Sequence, residues 1–251
     1  VSVVSVGDKV AIPEPLRAPA EIVRVRAAYF AITLGLAAIV ASGFWPSYFG
    51  PLFGAGANRL WIIHLHAAVF VGWILLLLIQ ALVVALGRIQ IHRLIGRVGA
   101  FYGALVLSVG MFISVAAPVA RVHAGQMPAE RAGLVALYNL TDILVFGGFF
   151  IAAMIYRRKS DVHRRLIVSA TVALAGAAVG RVLPGGSLWY ALVWLSPLLA
   201  VIAMDLIAKR RVHAVSWASA AIFAVVFLKV TLFSYSNVWR AIGGALVGPF
   251  I

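Results

Sequence analysis

The sequence has no cysteine, few acids and little charge of either sign between its long apolar runs. Without cysteine there are no disulfides, thiolate metal sites or thiol nucleophile. Asp and Glu number seven in 251 residues, and charged residues make up 11%, far below the about 25% of a soluble domain. A soluble fold would leave a chain that is 64% hydrophobic with too much apolar surface and nowhere to put it. The apolar and polar alternation of a membrane β-barrel is missing. So are a Walker loop, a helical i, i+4 histidine pair, clustered HxxxH or HxxHH iron sets and a nucleophile elbow.

What is present is a series of continuous apolar stretches long enough to cross a bilayer as helices. The fold class is therefore all-α, a polytopic membrane protein built as a seven-transmembrane-helix bundle. The expected spans are Arg26–Tyr48, Leu60–Leu86, Leu94–Ala120, Ala132–Tyr156, Arg165–Leu183, Ser187–Ala208 and Val215–Ser236. Residues 1–24 hold Pro13, Pro15 and Pro19 and no apolar core, so they read as a cytoplasmic N-terminal tail rather than a signal peptide. Residues 25–240 form the membrane domain, and 241–251 read as a Gly-rich outer C-terminal tail.

The basic residues set the orientation. Lys9, Arg17, Arg24 and Arg26 precede the first span, and Arg88, Arg93 and Arg97 lie between the second and third. Arg157, Arg158, Lys159, Arg164 and Arg165 lie between the fourth and fifth, and Lys209, Arg210 and Arg211 between the sixth and seventh. These are fifteen of the 21 Lys and Arg, all on one side. The expected topology is N-in and C-out. Trp45, Tyr48, Trp61, Trp189, Tyr190, Tyr235 and Trp239 mark the outer rim. A net charge of +14 on a soluble chain would suggest nucleic acid. In loops between spans it points to topology and to a bilayer with anionic lipids on the cytoplasmic face, with no nucleic-acid partner.

Charged groups deep in a span are costly and functional by default. Asp142 falls near the centre of the fourth span, and Lys229 about 5 Å outward of the centre of the seventh at the helical rise. Their similar depth lets them pair, as a structural ion pair or as a proton or ion relay. Asn139 and Tyr138 lie one turn outward of Asp142 on its face. His66 lies about 10 Å outward in the second span, with Arg181 at a similar depth in the fifth. His66 shares a face with Trp73 and Gln80, which points that face inward. His64 and His66 stand about 200° apart on a helix, so they do not share one metal. These polar groups concentrate in the outer half of the bundle and imply a cavity open to the outside.

The remaining histidines carry a second reading. His92, His163 and His213 lie on the cytoplasmic side beside arginines, and His123 lies in an outer loop. They serve as span-end caps and headgroup contacts or, in the sharper alternative, ligate a metal or b-type haem. In that case His66 and His123, or His64, would complete an outer site. A lysine in the seventh span is a feature of retinal proteins, but Val225 stands one turn earlier where an acid is common in that class, so retinal is disfavoured.

A set of motifs covers residues 58–215. It comprises His64-Leu65-His66, a Leu-rich span ending in Gly87-Arg88, then His92-Arg93-Leu94-Ile95-Gly96-Arg97, Asp161-Val162-His163-Arg164-Arg165-Leu166, and Arg211-Val212-His213. Together these resemble a group of bacterial inner-membrane proteins with an HxH span, two LHRRLG-like turns and a late basic-Val-His turn. Leu94 stands where the first turn would have its second Arg, and Ile167 where the second would have Gly. The resemblance implies a multi-pass fold in the bacterial inner membrane and carries over no activity and no functional residues. Three functions follow as expectations. The first is a non-hydrolytic membrane protein with an outward-facing cavity handling a small solute, a proton or a lipophilic ligand. The second is a haem- or metal-bearing redox subunit, and the third an accessory subunit of a larger membrane complex.

Overall fold

The computed structural model describes residues 19–53, 60–229 and 236–251. Most of the expected N-terminal tail, Arg59 and Tyr235 lie outside the described residues. Within them the chain is helical with no strand: α1 Pro19–Phe44, a π-helical turn Trp45–Phe49, α2 Gly50–Leu52, α3 Trp61–Ala85, α4 Ile89–His123, α5 Ala129–Ile155, α6 Ser160–Val179, α7 Leu188–Lys209, α8 Ala214–Leu228, α9 Asn237–Val247 and a 3-10 turn Gly248–Phe250. Six helical stretches are long and apolar enough to cross a membrane: 20–52, 61–85, 89–123, 129–155, 160–179 and 188–208. The molecule is the apolar helical bundle of a multi-pass membrane protein. The expected seventh span is described as α8, 15 residues long.

Three boundaries differ from the sequence reading, each for a local reason. The basic His-Arg segments expected as loops belong to helices. Gly87, at φ +74°, takes the left-handed turn after α3, and α4 starts two residues later, so His92 and Arg93 sit in its first turns. Asp161, His163 and Arg165 likewise lie in the first turns of α6. The expected Gly-rich tail 241–251 is α9 and its closing turn. Ser236 caps this helix by accepting from Trp239 N–H at 3.2 Å. Helix α1 begins at Pro19, inside the expected tail.

Helix α6 lies at the centre, packed against α1, α5, α7 and α8. Its middle is Ala, Gly, Ser and Val, and twelve of its twenty residues are buried. Lipid tails are as apolar as the side chains, so helices associate through close packing and interhelical hydrogen bonds, which small residues permit. The N–H groups of Trp73 and Trp194 both end on α6: Trp73 Nε1 donates to Thr171 Oγ1 at 3.3 Å, and Trp194 Nε1 to the Val172 carbonyl at 2.8 Å. Ser169 and Ser219 join α6 to α8 at 2.8 Å. Trp73 stands edge-on to Phe146 and Phe150, and Trp194 edge-on to Phe223, completing an aromatic core. Tyr190, expected at the rim, is buried near α6 with its hydroxyl toward the Gly176 carbonyl, whereas Trp45, Trp61 and Trp189 are exposed.

The basic end of the bundle is pinned by a buried ion pair. Arg165 of α6 bonds Asp205 of α7, each 4% exposed. Asp205 Oδ2 also accepts from His213 N–H and Ser216 Oγ, both at 3.1 Å, which ties the start of α8 to the same carboxylate. A guanidinium buried on the α6 face needs an anion, and Asp205 supplies it across the helix interface. At the other end α9 docks on α5 through facing glycines. A Cβ on Gly133 would fall on the Gly243 backbone, and one on Gly243 would fall on Gly133.

Removing one partner of the buried pair, by Asp205→Ala or Arg165→Met, should cost about 3–5 kcal/mol because the other charge is left buried alone. The apolar double variant Arg165→Met with Asp205→Leu should recover part of that loss. Unfolding of the detergent-solubilised chain measures the cycle, and additive losses would mean the two groups are uncoupled. Gly133→Leu should unseat α9 and expose 237–247 to limited proteolysis, while an unchanged cleavage pattern would mean the glycine contact does not hold it.

Candidate functional site

Four of the six relay candidates meet at one cavity. Its volume is about 210 Å³, and it sits toward the end of the bundle where α3 and α5 begin and α1, α4 and α6 finish. His66 comes from α3, Asn139 and Asp142 from α5, and Arg181 from just beyond α6. Helix periodicity brings them there. His66, Phe70 and Trp73 fall at 3.6-residue spacing on one face of α3, as do Val135, Asn139 and Asp142 on α5. The inward face inferred for His66, Trp73 and Gln80 is the one α3 presents to its neighbours, since Trp73 is buried and Gln80 reaches α4.

The other two candidates back the cavity. Lys229 Nζ stands 3.7 Å from Asp142 Oδ1, with its side chain 10% exposed, so it points into the bundle rather than snorkelling to the surface. The same ammonium lies 5.2 Å from the centre of the Tyr138 ring, a cation–π contact, and Tyr138 in turn lies near Trp239 of α9. Asp142 thus has a cation behind it and the cavity in front, and the pair fixes α5 against the end of α8.

Several cavity groups are unspent. His66 Nδ1 is buried without a hydrogen-bond partner, its ring lying against Phe70 at 4.2 Å. The Asn139 amide and the Arg121 guanidinium, both on the lining, have no hydrogen-bond or ion-pair partner among the described residues. Arg181 bonds the Ala177 carbonyl, and its guanidinium lies 4.2 Å over the Phe44 ring. Pro118 on the lining has no N–H to give the Ser114 carbonyl, which leaves that acceptor without its usual helical bond. The sequence reading missed Arg121, Ser114 and Pro118. Arg121 lies just past the expected third span, Leu94–Ala120, whereas the helix runs on to His123.

The histidines separate into distinct roles. His64 Nδ1 is 3.0 Å from the Tyr48 hydroxyl, which joins the end of α1 to the start of α3. His123 lies at the end of α4, and the cavity is lined there by Arg121. His213 caps α8 by accepting from Val215 N–H at 3.1 Å. His92 and His163 come together at the basic end with ring centres 6.5 Å apart, edge to face. His163 Nδ1 donates to the Ala153 carbonyl at 2.9 Å. In the amide orientation that satisfies both neighbours, Gln80 donates to His92 Nδ1 at 2.5 Å and accepts from Gly96 N–H at 2.9 Å. These bonds link α3, α4, α5 and α6 across the basic end, so each Nδ1 has a protein partner. Among the described residues no three His, Cys, Asp or Glu side chains cluster within reach of one metal ion.

Asp142→Asn or Lys229→Met alone should each destabilise the protein, at or below the lower end of the about 3–5 kcal/mol for a broken buried pair, since Asp142 is 26% exposed. The double variant should recover stability, as read by thermal unfolding in detergent. Equal stability of wild type and both single variants would show that the contact does not hold α8 to α5. The chain matches no family model, no curated protein and no solved structure, so the chemistry of the site rests on its own side chains.

Proposed function

We propose that the chain is a seven-span protein of the bacterial inner membrane, N-terminus in and C-terminus out, whose outward-facing cavity binds a small solute. Asp142, Lys229 and His66 form its polar core, with Asn139, Tyr138 and Arg181 around them. The observation that carries this reading is the cavity itself. Side chains from α1, α3, α4, α5 and α6 surround it, and the buried His66 Nδ1 on its lining has no hydrogen-bond partner. A merely structural bundle would fill such a space with apolar side chains or pair its polar ones.

The seventh span is α8. Its 15 residues give about 22 Å at the helical rise, and Lys229 continues the helical backbone. Its packing on α6 and α7, through Ser216, Ser219 and Phe223, is that of a bundle member. The orientation follows from the basic residues of the loops, and thirteen of those fifteen lie among the described residues, toward the end opposite the cavity. Exposed Trp45, Trp61 and Trp189 belong to the cavity end, as an outer interface requires.

The absence of cysteine makes the test clean. Ala177→Cys, on the cavity lining, should react in intact cells with a membrane-impermeant thiol reagent supplied from the periplasmic side. Arg157→Cys, at the basic end, should react only after the cytoplasmic face is opened. The reverse pattern would invert the topology. An Ala177→Cys that reacts from neither side would overturn the open cavity.

A further inference from the structure

Charge does not balance at the mouth of the cavity. Arg121 near the end of α4 and Arg181 just beyond α6 both line it. The one carboxylate on the lining, Asp142, lies deeper and already has Lys229 at 3.7 Å. Arg121 has no ion-pair or hydrogen-bond partner among the described residues, and Arg181 gives one donor to the Ala177 carbonyl and rests on Phe44. Two guanidiniums facing one narrow space repel each other, the more so where protein and lipid lower the dielectric. Among the described residues no fixed anion at the mouth offsets them, which leaves the place to a mobile one.

The shape narrows the class of anion. Below the arginines the wall is Phe70, Trp73, Ile74, Ile143 and Leu174, with the Trp73 N–H already given to Thr171. An inorganic anion has no use for such a wall. The volume of the cavity is about 210 Å³. That is below the about 300–1,000 Å³ of pockets for drug-sized ligands, so it holds a short body and not an acyl chain. The guanidinium fork matches a carboxylate in two parallel hydrogen bonds.

We infer that the cavity binds a small monocarboxylate, its carboxylate held by Arg121 and Arg181 and its short apolar body directed toward Phe70 and Trp73. The inference rests on the solute-cavity reading above and adds the ligand class. His66 and Asn139, between mouth and floor, are the remaining polar groups such a ligand would pass.

Three probes of nearly one size separate the possibilities: benzoate, benzylammonium and benzyl alcohol. Calorimetric titration of the purified full chain in detergent should show benzoate binding about tenfold or more tighter than the other two, the weight of a charge-assisted hydrogen bond. Arg121→Gln and Arg181→Gln should each weaken benzoate by about the same factor, and the Lys substitutions by less. Labelling Ala177→Cys with a bulky thiol reagent should block the site without disturbing the fold. Preference for benzylammonium or benzyl alcohol, blocked by that label, would overturn the anion assignment and leave a solute cavity standing. No binding of any probe to wild type would overturn both. Benzoate displaced by added phosphatidylglycerol would assign the arginines to a lipid phosphate and overturn the soluble carboxylate.

Discussion

The bundle depends on how α6 satisfies polar groups where water cannot. A helix bonds its own backbone, but every side-chain donor or acceptor inside lipid must find a partner in the protein. Helix α6 accepts the indole N–H groups of Trp73 and Trp194, and its Ser169 and Arg165 donate to the Ser219 hydroxyl and the Asp205 carboxylate. Its small side chains let these partners come close. The α3, α7 and α8 helices are therefore registered against α6 by specific bonds rather than by apolar contact alone, which in lipid would be nearly indifferent to register.

The two ends of the molecule solve different problems with similar residues. At the basic end Gln80, His92, His163 and the Ala153 carbonyl close on one another, and Arg165 and Asp205 do the same. Most polar groups there hold helices together, although the Tyr29 hydroxyl, Arg164 Nε and Arg165 Nε are buried without a hydrogen bond. At the opposite end His66 Nδ1, Asn139 and Arg121 remain open around a cavity. Removing a polar group from water without a partner costs free energy, and the buried His66 Nδ1 on the cavity lining bears that cost. The ion pair of Asp142 and Lys229 lies between the two regimes. It braces α5 against α8 and keeps a neutralised carboxylate at the cavity wall.

Much of this was legible in the chain. Unbroken apolar runs fixed the helical membrane class, because only helices satisfy backbone groups over such lengths. Helical periodicity aligned His66 with Trp73, and Asn139 with Asp142, and equal depth matched Asp142 to Lys229. Each inference needed only the pitch and rise of one helix or two. The same local rules failed at helix ends. His92, Arg93 and Arg165 look like loop residues by charge, yet they lie within helices because each finds a partner or the outer face of the bundle. The glycines of 241–251 look like a flexible tail, yet they are where α9 meets α5.

The sequence by itself determined the helical membrane class and most of the long helices, because those follow from composition and from distances measured along one chain. Only the tertiary structure decided that Asp205 takes Arg165, that Tyr190 turns inward, that His92 meets His163, and that Arg121 joins His66, Asp142 and Arg181 around one space. Those pairings depend on how the helices are rotated about their axes and ordered around the bundle. A span's composition is nearly the same on every face in lipid, so rotation and order are set by a few small residues and hydrogen bonds whose partners lie far away in the chain.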